Sequence, residues 1–498
     1  MNSAEKIISL VREAQEGKCS RHEAIKEITA IDLVDVLFDS ATGNTTTALC
    51  VGIGASPGAA SGKLCLDVDS VLAAVDAGEQ AIMVAMETGP EDEPGMRWAT
   101  GIITAYGGLA SHAAIYSRGL GIPAVCGVEA LKVEDGQIRI GETVIQEGGV
   151  ISADGASGEV FAGEIEISEA SVPDELDILL DWADEIRATT IGVRANADTK
   201  EEAVEARKAG ADGIGLCRTE HMFLGDRLPV IRQLLTATNP NDQQTALTQL
   251  EKVQEIDFVA VLEPMDGLPV TVRLLDAPLH EFLEDAQEQN PMLGLRGIRL
   301  AITTENLYRT QTRALVAAIK ERINQGGDPK VEIMVPLVSL EEELTLVVGW
   351  IKEEIATSPV PIPIGTMIET PRAALIAGDL AQHIDFISFG TNDLTQMTFG
   401  FSRDDVEASV IGRYIKKDLL KRSPFETIDI GGVGELVSIA INRSRQKNPN
   451  IKIGICGEHG GDPDSINFLV GAGVDYVSCS PPRIPIARLV SAQTKQAY

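Results

Sequence analysis

The chain has 498 residues, 44% of them apolar, enough for about three domains or for fewer if one is a large barrel. Against 74 Asp and Glu stand 42 Lys and Arg, a net charge of −32 that excludes non-specific nucleic-acid binding and attachment to anionic membranes. The seven cysteines form neither a metal-binding CxxC pattern nor a disulfide framework, and neither a secretory leader nor a bilayer-length apolar run occurs, so a cytoplasmic protein is expected.

Residues 1–48 predict a helical lead: Ile7, Ile8, Leu10, Val11 and Ala14 share a face, Gly17 stops the helix, and Ser20 to Glu23 fits a capping box ahead of Ala24, Ile25 and Ile28, completing a helical hairpin. Over 49–165 short apolar runs alternate with Gly, Pro and Asp, the punctuation of a compact domain of several strands and few helices; ASPGAASGK and DGASGEV read as turns between strands. Residues 166–188 hold a linker helix, with Leu176, Leu179, Leu180, Ala183 and Ile186 at helical spacing. From 189 to 498, TIGVRANAD, DGIGLCRTEH, VTVRLLD, VEIMVPLV, IPIGTMIETP, DFISFGTND and IKIGICGEHG alternate with helical sequence. Roughly eight β-α units over about 250–300 residues predict a closed parallel barrel, a (β/α)8 fold of the TIM type. A doubly wound sheet would bring a Gly-rich first turn, and none is present.

Several polar side chains follow the barrel strands. Arg194, Arg218 and Arg273, on the first three, bind carboxylate or phosphate bidentately if they converge, making an anion trap in an acidic protein; salt bridging within the barrel is the alternative. Arg296 either joins them or supports the rim. Glu369 and Asp393 end consecutive strand motifs, and two hard carboxylates beside a phosphate site suit Mg²⁺ or Mn²⁺; pairing with the arginines is the alternative. Cys479, after the last strand, moves a proton if its pKa suits and is otherwise core, like Cys126, Cys217 and Cys456. His112 follows the Gly107–Gly108 pair and opens a helix, where free N–H groups and the helix dipole receive phosphate and a neutral imidazole attacks phosphorus; the plainer reading is a capping or surface histidine.

The strings themselves carry a further signal. GGLASHAAIYSRGLGIPAVCG resembles the phosphohistidine motif of the phosphoenolpyruvate-utilising enzymes, which include pyruvate, phosphate dikinase, phosphoenolpyruvate synthase and enzyme I of the sugar phosphotransferase system. From residue 49 onward, GIGLCRTEHMF, NPMLGLRGIRL, GTMIETPRAAL, FISFGTNDLTQMTFGFSRDD, GICGEHGG and DYVSCSPPRIPIARL resemble the dikinase branch in wording and order. The resemblance implies a swivelling phosphohistidine domain over 49–165 and a phosphoenolpyruvate/pyruvate barrel over 189–498. It further implies that His112 carries the phosphoryl group, that Arg194, Arg218, Arg273, Gly390, Thr391 and Asn392 bind substrate, that Glu369 and Asp393 hold Mg²⁺, and that Cys479 protonates the enolate.

The departures matter too. No Gly-rich ATP-binding stretch precedes residue 49, where the dikinase and synthase carry an ATP-grasp domain. The expected activity is therefore the carbon half-reaction, with the phosphoryl partner on a separate ATP-grasp subunit or phosphocarrier protein. The alternatives are an enzyme I-like carrier and a phosphoenolpyruvate-binding regulatory or assembly protein. The segment between LHEFL and NPMLGLRG is shorter than in the dikinase, and Ala110 replaces a threonine through which some plant dikinases are controlled. A homodimer through the barrel is the oligomer that the resemblance implies.

Overall fold

The computed structural model describes residues 2–42, 47–108, 111–223, 227–237, 239–283, 288–304, 306–406 and 410–494. Ala110, the position of the expected loss of control, and residues 284–287 of the shortened excursion lie outside them. Two compact units are present: one gathers Met1–Ile186, Gly400–Thr427 and Arg488–Gln493, the other Arg187–Phe399 and Ile428–Ala487.

The first unit opens with three helices, Ser3–Gln15, Arg21–Glu27 and Ala30–Leu37, where a hairpin of two was expected. The extra break has a local cause. Ile28 is extended (ψ 133°), and Thr29 starts a new helix by exchanging hydrogen bonds with Asp32, a second capping box directly after that of Ser20 and Glu23. Ile7, Val11, Ala24, Ile25, Ile28, Leu33 and Val36 are buried.

An eight-stranded mixed sheet follows, with Ala59–Cys65, Ala81–Ala85, Gly101–Thr104 and Ala124–Cys126 parallel at its centre. Its strands are covered on both faces, which is why they read as continuous apolar runs. Along Ala81–Ala85, Ala81 and Met83 join a core with Val71, Met96 and Ala113 from three helices, while Ile82 and Val84 join another with Leu131, Ile138 and Ile140 from a small antiparallel sheet. The helix Glu175–Arg187 buries Leu176, Leu179, Leu180 and Ala183.

In the second unit eight parallel strands close into a barrel: Gly192–Asn196, Ile214–Arg218, Pro269–Arg273, Lys330–Val335, Ile364–Ile368, Phe386–Phe389, Lys452–Ile455 and Tyr476–Cys479. Closure is direct, with Gly192 to Ala195 in register with Tyr476 to Cys479. A side chain at Gly454 would overlap the fully buried Tyr476 ring, so glycine there makes room for an aromatic inside the barrel. The predicted α/β architecture, a small strand-rich domain followed by a (β/α)8 barrel, is the observed one, the small domain being built on a mixed sheet. Among the described residues, no helix is long and apolar enough to cross a membrane.

Candidate active site

Barrel strands deliver functional side chains where their C-terminal ends meet the following loops. Three carboxylates converge there. Asp276 follows Pro269–Arg273, Glu369 follows Ile364–Ile368, and Asp393 lies in the helix Thr391–Phe399 after Phe386–Phe389. Each offers an oxygen, all within 4.8 Å of one another, an acidic cluster spaced to hold a metal ion. Asp276 is the member that the sequence reading missed. Its signal was its position, three residues beyond a strand-ending arginine.

Two arginines interleave with this cluster. Arg296 forks onto Asp276, Nε to Oδ1 at 2.9 Å and Nη2 to Oδ2 at 2.7 Å, and reaches both Asp393 oxygens at 3.3 Å. Arg273 lies 3.3 Å from Asp276 and pairs with Glu220. Of the alternatives that the sequence left open for Arg296, the structure takes it into the cluster. Arg218 ends its strand in register with Arg273, and its backbone N–H donates to Asp198 at 2.6 Å.

The charge balance is informative. Four carboxyl groups (Asp276, Glu369, Asp393, Glu220) face two guanidinium groups in a mostly buried place, an excess of acid that remains even when Glu369 holds its proton. Burial, then the nearby Asp276 and Asp393 charges, push Glu369 up to about 8. Its Oε1 accepts the Leu337 N–H at 2.5 Å, from a residue held at φ 55°. That is the left-handed region, an uncommon and costly conformation for leucine. The donor set is all hard oxygen, surplus in charge and held from behind, which fits a divalent cation such as Mg²⁺.

Arg194 goes elsewhere. It is the middle residue of its strand, 3% exposed, and donates to Glu332 at 2.6 Å and Thr271 at 3.1 Å while its guanidinium stacks 4.2 Å over the Tyr476 ring. Burial lifts Glu332, but the Arg194 charge and hydrogen bond outweigh it and hold that carboxyl at about 2. Lys452 stands 3.6 Å from the same glutamate. Arg194 is thus engaged in a closed salt bridge inside the barrel, the alternative that the sequence left open for it, whereas Arg273 and Arg296 are the arginines paired with the Asp276 cluster.

The remaining barrel residues divide in the same way. A side chain on Gly390 would meet the Glu369 carboxylate, so this glycine gives the acid its room. Thr391 is fully buried against His459, Oγ1 to Nδ1 at 2.7 Å. Asn392 accepts the Glu458 N–H at 3.2 Å. Cys479 is the last residue of its strand rather than beyond it, 3% exposed, and burial pushes its thiol up to about 12. A thiol of that kind keeps its proton at neutral pH and is suited to give it up to a stronger base, not to act as a thiolate.

In the first unit, His112 is the first residue of the helix His112–Leu120, with Ser111 as its N-cap. Ser111 Oγ donates to the Gly108 carbonyl at 2.8 Å, tying the glycine pair to the cap. Both ring nitrogens of His112 are engaged, Nδ1 with Thr88 Oγ1 at 3.1 Å and Nε2 with Glu93 Oε1 at 3.4 Å, and Tyr116 stacks at 5.8 Å. The side chain remains 28% exposed, with Nε2 beside the partly exposed Glu93 carboxylate. Thr88 and Glu93 escaped the sequence reading because they lie 24 and 19 residues upstream of His112, outside the motif.

Comparison with known proteins agrees with both parts. Residues 77–158 match the mobile domain of PEP-utilising enzymes, and residues 177–496 match their PEP-binding domain. The chain is 42% identical to the chloroplastic pyruvate, phosphate dikinase of Mesembryanthemum crystallinum, over 96% of this chain and 54% of the relative. It is 43% identical to pyruvate, phosphate dikinase 2 of Zea mays (96% and 58%) and 44% identical to the pyruvate, phosphate dikinase of Rhizobium meliloti (96% and 57%). The chain therefore spans just over half the length of these curated relatives. A barrel whose whole length matches the PEP-binding domain, preceded by a match to the mobile domain that holds His112, makes this chain a member of the PEP-utilising enzyme family.

Proposed function

We propose that the chain is a phosphotransferase that interconverts phosphoenolpyruvate and pyruvate through a phosphohistidine at His112. The observation that carries this reading is the acidic cluster Asp276, Glu369 and Asp393 interleaved with Arg273 and Arg296 at the C-terminal ends of the barrel strands. Fixed arginines beside surplus carboxylates suit a trianionic substrate taken up together with a divalent cation. The domain over 49–165 carries His112 as the phosphoryl shuttle, and the barrel over 189–498 supplies the carbon substrate.

In this reading Arg218, Arg273 and Arg296 orient the substrate's carboxylate and phosphoryl oxygens, with Asn392 beside them. Glu369 and Asp393, with Asp276, hold Mg²⁺, which when bound supplies Lewis-acid polarisation of the substrate oxygens. Nε2 of His112 attacks phosphorus as the bond to the enol oxygen breaks, its electron pair staying on that oxygen. Cys479, kept protonated by burial, gives its proton to C3 of the enolate and so completes pyruvate. The second station of the phosphoryl group is a nucleotide-binding domain or phosphocarrier protein outside these residues, and the barrel is the face through which two copies pair.

The test is direct. Phosphoenolpyruvate labelled with ³²P, with Mg²⁺, should place an acid-labile label on the protein and release pyruvate, and His112→Ala should take up none. Wild-type protein that stays unlabelled would sink the reading.

A further inference from the structure

Glu93 is the part of the His112 surroundings that the phosphoryl-carrier reading leaves unused. It is the first residue of the helix Glu93–Trp98, and its backbone carbonyl accepts the Tyr116 hydroxyl at 3.3 Å. Tyr116 is also the ring stacked on His112, so one side chain ties the glutamate's backbone to the imidazole. Thr88 occupies Nδ1 at 3.1 Å. Nε2 is thus the nitrogen turned toward a carboxylate, at 3.4 Å, with the two side chains 28% and 30% exposed.

We propose that Glu93 sets the lability of a phosphoryl group carried on His112: its carboxylate stands beside Nε2 and, once Nε2 is phosphorylated, repels the group, so that phosphohistidine passes it on. The inference rests on the carrier reading of His112. Before attack, the ring proton must sit on Nδ1, where Thr88 Oγ1 accepts it, leaving the Nε2 lone pair free. The carboxylate, which accepts an Nε2–H in the resting protein, loses that bond as the proton passes by way of solvent to Nδ1, and stays beside the ring. After transfer, a phosphoryl group of nearly two negative charges stands beside a third, a repulsion that loss of the group relieves.

Phosphoramidate tests this without phosphoenolpyruvate. Nε2 attacks its phosphorus, the P–N bond of the reagent breaks, and ammonia leaves with a solvent proton. On the full chain, ³¹P NMR should find the phosphoryl group on Nε2 of His112. Its lifetime in neutral buffer should be about tenfold longer in Glu93→Gln than in wild type, with Glu93→Asp restoring the short lifetime. Equal lifetimes in wild type and Glu93→Gln, or phosphorylation at Nδ1, would overturn the proposal. Labelling by phosphoenolpyruvate, followed in parallel, separates the two readings: a lifetime effect without it would leave Glu93 standing and remove the phosphoenolpyruvate reaction.

Discussion

Two of the barrel's clusters of arginine and carboxylate differ in their chemistry. Around Arg194, one guanidinium and Lys452 face Glu332, with Thr271 and the Tyr476 ring filling the remaining contacts. Around Asp276, carboxylates outnumber guanidinium groups. The first is a buried ion pair whose extra cation, Lys452, is partly exposed to solvent; the second, mostly buried, is short of positive charge. Identical side chains become scaffold or site according to whether the neighbours leave a charge unanswered, and depth along the strand decides which neighbours those are.

Variants can break that contrast. The largest effect is expected at the unbalanced cluster: Asp393→Asn or Glu369→Gln should lower labelling by phosphoenolpyruvate by about 10²–10³-fold and abolish Mn²⁺ binding measured by calorimetry, with the melting temperature little changed. If Glu332→Gln did the same, the division between the clusters would fail. Next comes Arg194→Met, which leaves Glu332 buried without its partner and should cost about 3–5 kcal/mol in urea unfolding; Arg194→Met with Glu332→Leu should recover most of it. A double variant no more stable than the single would show that the pair is not the closed unit described here.

The smallest effect concerns acid. Glu332 is held at about 2 in the folded protein, below its ordinary 4.5, so the stability it contributes is fully present above about 4.5 and is lost as pH falls toward 2. That loss amounts to about 3 kcal/mol, and Glu332→Gln should be less stable near neutrality yet lose less between pH 5 and 3. Parallel unfolding curves at pH 6, 4 and 3 check it.

The barrel was legible because its strands are short apolar runs alternating with helical sequence, several of them ending in or followed by a charged residue. The site was legible only in part, and Arg194 shows why. Arg218 and Arg273 end their strands, whereas Arg194 is followed by two more strand residues, and a motif does not state where its strand stops. Asp276 stood in view three residues after Arg273, but its partnership with Glu369 and Asp393 is made by closure of the barrel, not by spacing. Glu93 could not be read at all. Its neighbour is chosen by Tyr116 and the packing of two helices, which leave no local pattern. The helix break at Ile28, by contrast, was written locally in Thr29 and Asp32.

The carbonyls of Ile25 and Ile28, near that break, accept hydrogen bonds from Gln493 at 2.7 and 2.6 Å. The contact with Ile28 spans 465 positions of sequence, so it can close only after residue 493 has been made. A ribosome-bound chain short of residue 493 holds its opening helices without this clasp. Protease resistance of residues 2–40 should therefore rise only once residue 493 has left the ribosome, long after their own capping boxes have formed.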